Sequence, residues 1–205
     1  GLRGAESRLL EIACHEVTPH VRALYDLLTR AGYRAAITHP DEAPVVEQFL
    51  SLQVAMATAY VAHGGDTVTL DSTLRRFGFV RRMPELIAGL EWPHLTKALR
   101  RALAGAAAGI VEPMAEPALE RALARLRKPS EPTRRYDRRL VAGLTIGWLQ
   151  LVRRLLESEQ VTHPTVVDVI ARELIDFPLC KGSLAAHPTR TRLRARLALR
   201  PPSWL

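Results

Sequence analysis

Apolar residues recur three and four positions apart along most of the chain, and this spacing marks one buried face of an α-helix. The helices predicted from it cover residues 3–16, 19–32, 44–62, 83–90, 95–111, 118–127, 137–157 and 165–176. Thr18-Pro19 supplies a capping side chain followed by proline at the first helical position, which indicates where the second helix begins. Residues 67–70 (Thr-Val-Thr-Leu) are predicted to be extended, ahead of a short helix that ends at Phe77.

The helix predicted over residues 137–157 has the most apolar surface. Its segment Leu140–Val152 contains no charged residue, and arginine pairs flank it at residues 138–139 and 153–154. A helix that is apolar nearly all round has no polar face to expose to solvent, so we expect it to be buried inside a bundle. The sequence therefore predicts an all-α fold, a compact bundle of about seven to nine helices around this buried central helix.

Composition supports the same fold class. The chain has 205 residues and only 5% aromatic residues, while Ala, Leu and Arg, which favour helix over strand, are abundant. This length suits a single domain, and we expect residues 1–205 to form one helical domain. The Pro-containing segment 128–135 is predicted to be a hinge-like loop, and residues 183–205 an Arg-rich C-terminal arm.

The C-terminal arm alternates with period two between arginine and apolar residues over most of residues 190–200. Such alternation is typical of a strand, whereas the residue types prefer helix. We expect either a terminal helix or an extended arm laid over the bundle. Beyond two prolines, Trp204 is predicted to anchor this arm in a groove of the same molecule or of a partner.

Positive charge is concentrated in the C-terminal part of the chain. The net charge is +8, and residues 121–205 hold 17 Lys and Arg against 7 Asp and Glu. This asymmetry predicts a basic face that binds nucleic acid, RNA or DNA, or an acidic protein surface. Only Tyr136 lies among the arginines, so we expect largely sequence-independent contacts to phosphates rather than base readout. The predicted binding residues are Arg134, Arg135, Arg138, Arg139, Arg190, Arg192, Arg194 and Arg196.

Two other functions fit the sequence. One is a protein-interaction or scaffold domain of a larger protein, with self-association into a homo-oligomer. The other is a small helical RNase-like enzyme, in which Arg34 would stabilise a phosphate and His39 would transfer a proton. No glycine-rich phosphate loop, nucleophile elbow or paired-carboxylate motif occurs, so the main prediction is a non-enzymatic binding module.

No cofactor or metal site is predicted. Glu11, Cys14, His15 and His20 are the only clustered metal-ligating residue types, and their spacing matches no recognised zinc motif. Two separated cysteines suit reduced thiols, so we expect an intracellular protein, cytoplasmic or nuclear. The charge-free run over residues 48–65 contains too many polar residues for a membrane span.

Glycine pairs four residues apart occur at Gly105 and Gly109 and at Gly143 and Gly147. Glycine weakens a helix interior, so two such pairs call for a packing reason. We expect the two helices that carry them to cross at the glycines, where their backbones would approach closely.

Overall fold

The computed structural model describes residues 9–40, 43–88, 92–104, 114–128, 131, 133–161, 163–175 and 177. In chain order the elements are β1 (Leu9–Ala13), α1 (Pro19–Arg30), β2 (Arg34–Thr38), α2 (Val45–Ala62), α3 (Thr67–Phe77), α4 (Met83–Ala88), α5 (Trp92–Ala104), α6 (Glu116–Leu126), α7 (Arg138–Glu157) and α8 (Pro164–Ile175). The described part of the chain is therefore mostly helical, and the predicted all-α bundle is confirmed.

The helix α2 lies at the centre of the bundle and packs against α5, α6, α7 and α8. From Gln48 to Val61 every residue except Leu50 is buried. Among the described residues, α2 is the one helix with the length and hydropathy of a membrane span, and 72% of it is buried inside the protein. The core helix of a globular bundle gives the same pattern.

The predicted central helix, α7, is also part of the core. Trp148 is 1% exposed, and its ring packs against the rings of Phe79 and Phe177. The helix α7 runs antiparallel to α2, because Asp137 at its start lies near Tyr60 and Gln160 beyond its end lies near Gln48.

The first predicted helix, over residues 3–16, is wrong for residues 9–16, none of which is helical. Residues 9–13 form β1, which pairs in parallel with β2 in the register Leu9 to Arg34 and Ala13 to Thr38. With α1 between them, the two strands make a βαβ unit against α8. Pairing with a distant strand overrode the helix-forming tendency of these residue types, because strand formation depends strongly on tertiary context. Residues 1–8 lie outside the described part of the chain.

The extended structure predicted at residues 67–70 is also wrong, because these residues form the first turn of α3. Asp66 caps this helix, with its Oδ2 accepting a hydrogen bond from the backbone N of Thr69 at 3.0 Å. A satisfied cap outweighs the weak strand preference of Thr and Val. The helix α5 begins at Trp92, three residues before the predicted start at residue 95. Pro93 does not prevent this, because proline is tolerated in the first turn of a helix.

The predicted crossing at the glycine pairs stays a prediction, because Gly105 and Gly109 lie outside the described residues. Gly147 packs against α2, where a Cβ added at Gly147 would lie 3.6 Å from the side chain of Met56. That separation is ordinary van der Waals contact, and the neighbouring atoms belong to the flexible side chain of Met56.

Candidate nucleic-acid interface

The segment from Thr133 to Asp137, which leads into α7, is attached to α3 by two buried hydroxyl groups. The backbone N of Thr133 donates to Ser72 Oγ at 2.8 Å, and the backbone N of Asp137 donates to Thr73 Oγ1 at 2.9 Å. Ser72 and Thr73 are 2% and 0% exposed. These two hydrogen bonds fix the backbone that carries the predicted arginines.

Asp137 then begins α7. Its Oδ1 accepts hydrogen bonds from the backbone N of Arg139 at 2.8 Å and of Leu140 at 3.3 Å. Its Oδ2 lies 3.5 Å from the hydroxyl of Tyr60 at the end of α2. One carboxylate therefore caps α7 and connects its start to the core helix.

A residue that the sequence analysis missed, Arg76 at the end of α3, joins this segment. Its Nη1 donates to the carbonyl O of Arg134 at 3.1 Å, and its Cζ lies 5.2 Å from the ring centroid of Tyr136. This is cation–π geometry. No sequence signal marks Arg76 as a member of this site, because only folding brings α3 next to residues 134–136.

We call the resulting patch the basic surface. All of its residues are exposed, and its aromatic member is 39% exposed. The basic surface consists of Arg76, Arg134, Arg135, Tyr136, Arg138 and Arg139.

The start of α7 carries charges of both signs. Arg138 and Arg139 occupy its first turn, where positive charge opposes the helix macrodipole, while the Asp137 carboxylate at the cap favours it. The positive charge of Arg135 interacts favourably with the negative charge of Asp66. Burial alone would raise the pKa of the Asp66 carboxyl, but hydrogen bonds from Thr69 and Val68 together with the Arg135 charge lower it.

The remaining predicted binding residues lie outside the part of the chain that the structure describes. They are Arg190, Arg192, Arg194, Arg196 and the expected anchor Trp204, together with the whole arm 183–205. Their contribution to binding stays a prediction from sequence.

The pair proposed for RNA cleavage is not brought together. Arg34 begins β2 and forms an ion pair with Glu173 of α8, whereas His39 follows the end of the same strand. A strand advances about 3.3 Å per residue, so their backbones are separated by roughly 16 Å. The two side chains lie at opposite ends of β2 and do not form one site in this arrangement.

A second group of arginines lines a pocket between α2, α5 and α7. Arg154 donates to Gln48 Oε1 at 3.2 Å, and Arg101 lies 4.0 Å from a carboxylate oxygen of Glu47. Both guanidinium groups already have partners within the protein, so this pocket offers less uncompensated positive charge than the basic surface.

Comparison of the chain with protein-family models, with curated proteins and with solved structures finds no match. The functional argument therefore depends on the geometry and charge of the protein itself.

Proposed function

We propose that the protein is a non-enzymatic binding module that uses the basic surface to contact the sugar–phosphate backbone of nucleic acid. The observation that carries the proposal is the exposure of five arginines around the segment from Thr133 to Asp137, whose backbone is fixed by Ser72 and Thr73. A fixed backbone limits the conformational entropy lost on binding. Arginine donates bidentate hydrogen bonds to phosphate oxygens without requiring any particular base sequence.

The position of Arg138 and Arg139 supports an anionic ligand. Two arginines in a first helical turn oppose the helix macrodipole, and the Asp137 carboxylate at the cap offsets part of their charge. A bound phosphate would add negative charge beside both guanidinium groups and would accept hydrogen bonds from them. Tyr136 adds an exposed ring beside Arg76, which suits stacking with one unpaired base but not the reading of a sequence.

The test is fluorescence polarisation of the full chain with a short labelled oligonucleotide at several salt concentrations. Affinity should fall steeply between about 50 and 200 mM salt, because binding releases condensed counterions. The triple variant Arg134→Ala/Arg138→Ala/Arg139→Ala should weaken binding at least about tenfold. On duplex DNA it should also lower the salt slope by about 0.9 for each lost phosphate contact.

The matched control removes three exposed arginines from other elements, as Arg22→Ala/Arg30→Ala/Arg121→Ala. It changes the net charge by the same amount, so it separates a local site from general electrostatic attraction. Equal loss of affinity in both triple variants, or no binding at low salt, would overturn the proposal. Oligonucleotides of unrelated sequence should bind the unmodified protein with similar affinity.

A second candidate function, protein–protein association, is favoured by the surface of α1. This helix has no buried residue, and Leu24, Tyr25 and Leu27 are 44%, 36% and 63% exposed. Exposed apolar residues clustered on one element are typical of interaction sites. If this surface mediates self-association, light scattering should report a dimer that Leu24→Asp/Leu27→Asp converts to monomer. A monomer at all concentrations would count against self-association.

A further inference from the structure

Two histidines from separate parts of the chain meet where β1 and β2 end. His15 follows β1 and His39 follows β2, and both are exposed. Nδ1 of His15 lies 3.3 Å from Nε2 of His39, and their ring centroids are 4.9 Å apart. Parallel pairing of the strands brings both carboxyl ends to one edge of the sheet, where α/β folds commonly bind ligands.

The backbone holds both histidines in place. Cys14, immediately before His15, donates its backbone N to the carbonyl O of Thr38 at 3.0 Å. The backbone N of His39 donates to the carbonyl O of Gln160 at 2.8 Å. The end of β1, the end of β2 and the turn after α7 are therefore joined at this point, and the fold holds the backbones of the two histidines close together.

The tautomer of His39 follows from its second contact. Nδ1 of His39 lies 3.0 Å from the carbonyl O of Pro40. A carbonyl oxygen only accepts hydrogen bonds, so Nδ1 carries the proton, and in the neutral ring Nε2 presents its lone pair toward His15. Histidines that bind metals usually donate their other ring N–H to a carbonyl or carboxylate in this way.

We propose that His15 Nδ1 and His39 Nε2 form a binding site for a transition-metal dication that accepts imidazole ligands, such as Zn²⁺. Two nitrogens about 2.0–2.1 Å from Zn²⁺ at the tetrahedral angle lie about 3.3–3.4 Å apart. The observed separation of 3.3 Å matches this geometry. On binding, the metal replaces the hydrogen bond between the rings, and the proton on His15 Nδ1 moves through solvent to its Nε2.

Within the described part of the chain, no set of three or more His, Cys, Asp or Glu side chains is placed to hold a metal ion. The two imidazoles therefore supply two of four positions, and water or a group from a second molecule fills the others. Such an open site binds more weakly than a structural zinc site with four protein ligands. The nearby carboxylate of Glu11 is occupied with Thr38 and the start of α2.

The test is calorimetric titration of the full chain with ZnCl₂ at neutral pH in a non-chelating buffer. We expect one zinc ion per chain, and either His15→Gln or His39→Gln should weaken binding at least about tenfold. His163→Gln is the matched control, since the His163 side chain is also exposed and hydrogen-bonds to Thr165 in its own turn. Mg²⁺ should not bind at this site, because it prefers oxygen ligands.

A second measurement separates metal ligation from a structural effect of the substitutions. Nitrogen NMR of the histidine rings should show His15 changing from the Nδ1–H to the Nε2–H tautomer when zinc is added. Circular dichroism should show that both glutamine variants remain folded, as expected for exposed side chains. Zinc binding that persists in the double variant His15→Gln/His39→Gln, or no binding up to millimolar zinc, would overturn the proposal.

Discussion

Glu11, in the middle of β1, caps the N-terminus of α2: its Oε1 accepts a hydrogen bond from the backbone N of Val45 at 2.9 Å. Its other oxygen accepts from Val46 N at 3.0 Å, and Oε1 also accepts from Thr38 Oγ1 at 2.7 Å. The residue at the usual capping position is Pro44, whose side chain has no atom that could accept a hydrogen bond. A carboxylate from a distant strand therefore satisfies the first N–H groups of the core helix.

Replacing Glu11 by Ala should lower the free energy of unfolding by about 2–3 kcal/mol, because charge-assisted hydrogen bonds to a helix end are lost. Glu11→Gln should cost less, since the amide oxygen remains an acceptor. Urea denaturation measures both values. Glu16→Ala is the control, because Glu16 is exposed and should change stability by less than about 0.5 kcal/mol. An Ala variant as stable as the unmodified protein would contradict the capping role.

The local features of the fold could be predicted from sequence. The bounds of α2 and α7 follow from apolar runs and nearby polar or basic residues, and the cap at Thr18 follows from its Thr-Pro pair. These features depend on residues within a turn or two of each other.

The pairing of β1 with β2 could not be predicted in the same way. Their five-residue segments carry no strong strand preference, and their conformation is decided by contact with each other and with α8. The same limit applies to the candidate sites. The contact of Arg76 with Tyr136, and that of His15 with His39, depend on tertiary packing that spacing along the chain does not show.

Gly147 in α7 and Gly65 in the turn after α2 should respond oppositely to an added methyl group. At Gly147 a Cβ has room beside Met56, so Gly147→Ala should raise the free energy of unfolding by about 0.5–1 kcal/mol through better helix propensity. At Gly65 a Cβ would overlap the ring and the carbonyl O of Tyr60. Gly65→Ala should therefore be destabilising.

Thermal and urea denaturation measure the free energy of unfolding of Gly147→Ala and Gly65→Ala relative to the unmodified protein. Loss of stability in Gly147→Ala would mean that the backbones of α7 and α2 are closer than the Met56 contact implies. No effect of Gly65→Ala would mean that the turn after α2 adjusts freely.

Gln53 in α2 is a buried polar residue whose removal should stabilise the fold. It is 1% exposed, and neither its amide N nor its amide O has a hydrogen-bond partner among the described residues. Gln53→Met keeps the approximate volume and removes the cost of burying an unpaired amide. We expect the free energy of unfolding to rise by about 1–2 kcal/mol in urea denaturation.

The matched control is Gln48→Met in the same helix. The Gln48 amide N donates to Ala43 O and to Gln160 Oε1, each at 2.9 Å, so its replacement leaves buried acceptors with fewer donors. This variant should lose about 1–3 kcal/mol. If both methionine variants shifted stability in the same direction, the hydrogen-bond explanation for their difference would fail.

Tyr60 should make stability depend on pH in the alkaline range. Burial, followed by the charge of Asp137 and the hydrogen bond to it, raises the pKa of the Tyr60 hydroxyl from 10.0 to about 12. The folded protein holds this proton more tightly than the unfolded chain, so the stabilisation is fully present below pH 10 and is lost as the pH rises towards 12. Titration of ultraviolet phenolate absorbance should show a component near pH 12 that is absent in Tyr60→Phe.

The variant Asp137→Asn tests the electrostatic part of this shift. It removes the negative charge next to the hydroxyl, so the pKa of Tyr60 should fall while staying above 10.0, because burial, the largest cause, remains. In urea denaturation at increasing pH, Tyr60→Phe should lose less stability above pH 10 than the unmodified protein. Parallel pH profiles for these two proteins would show that the Tyr60 proton is not held more tightly in the folded state.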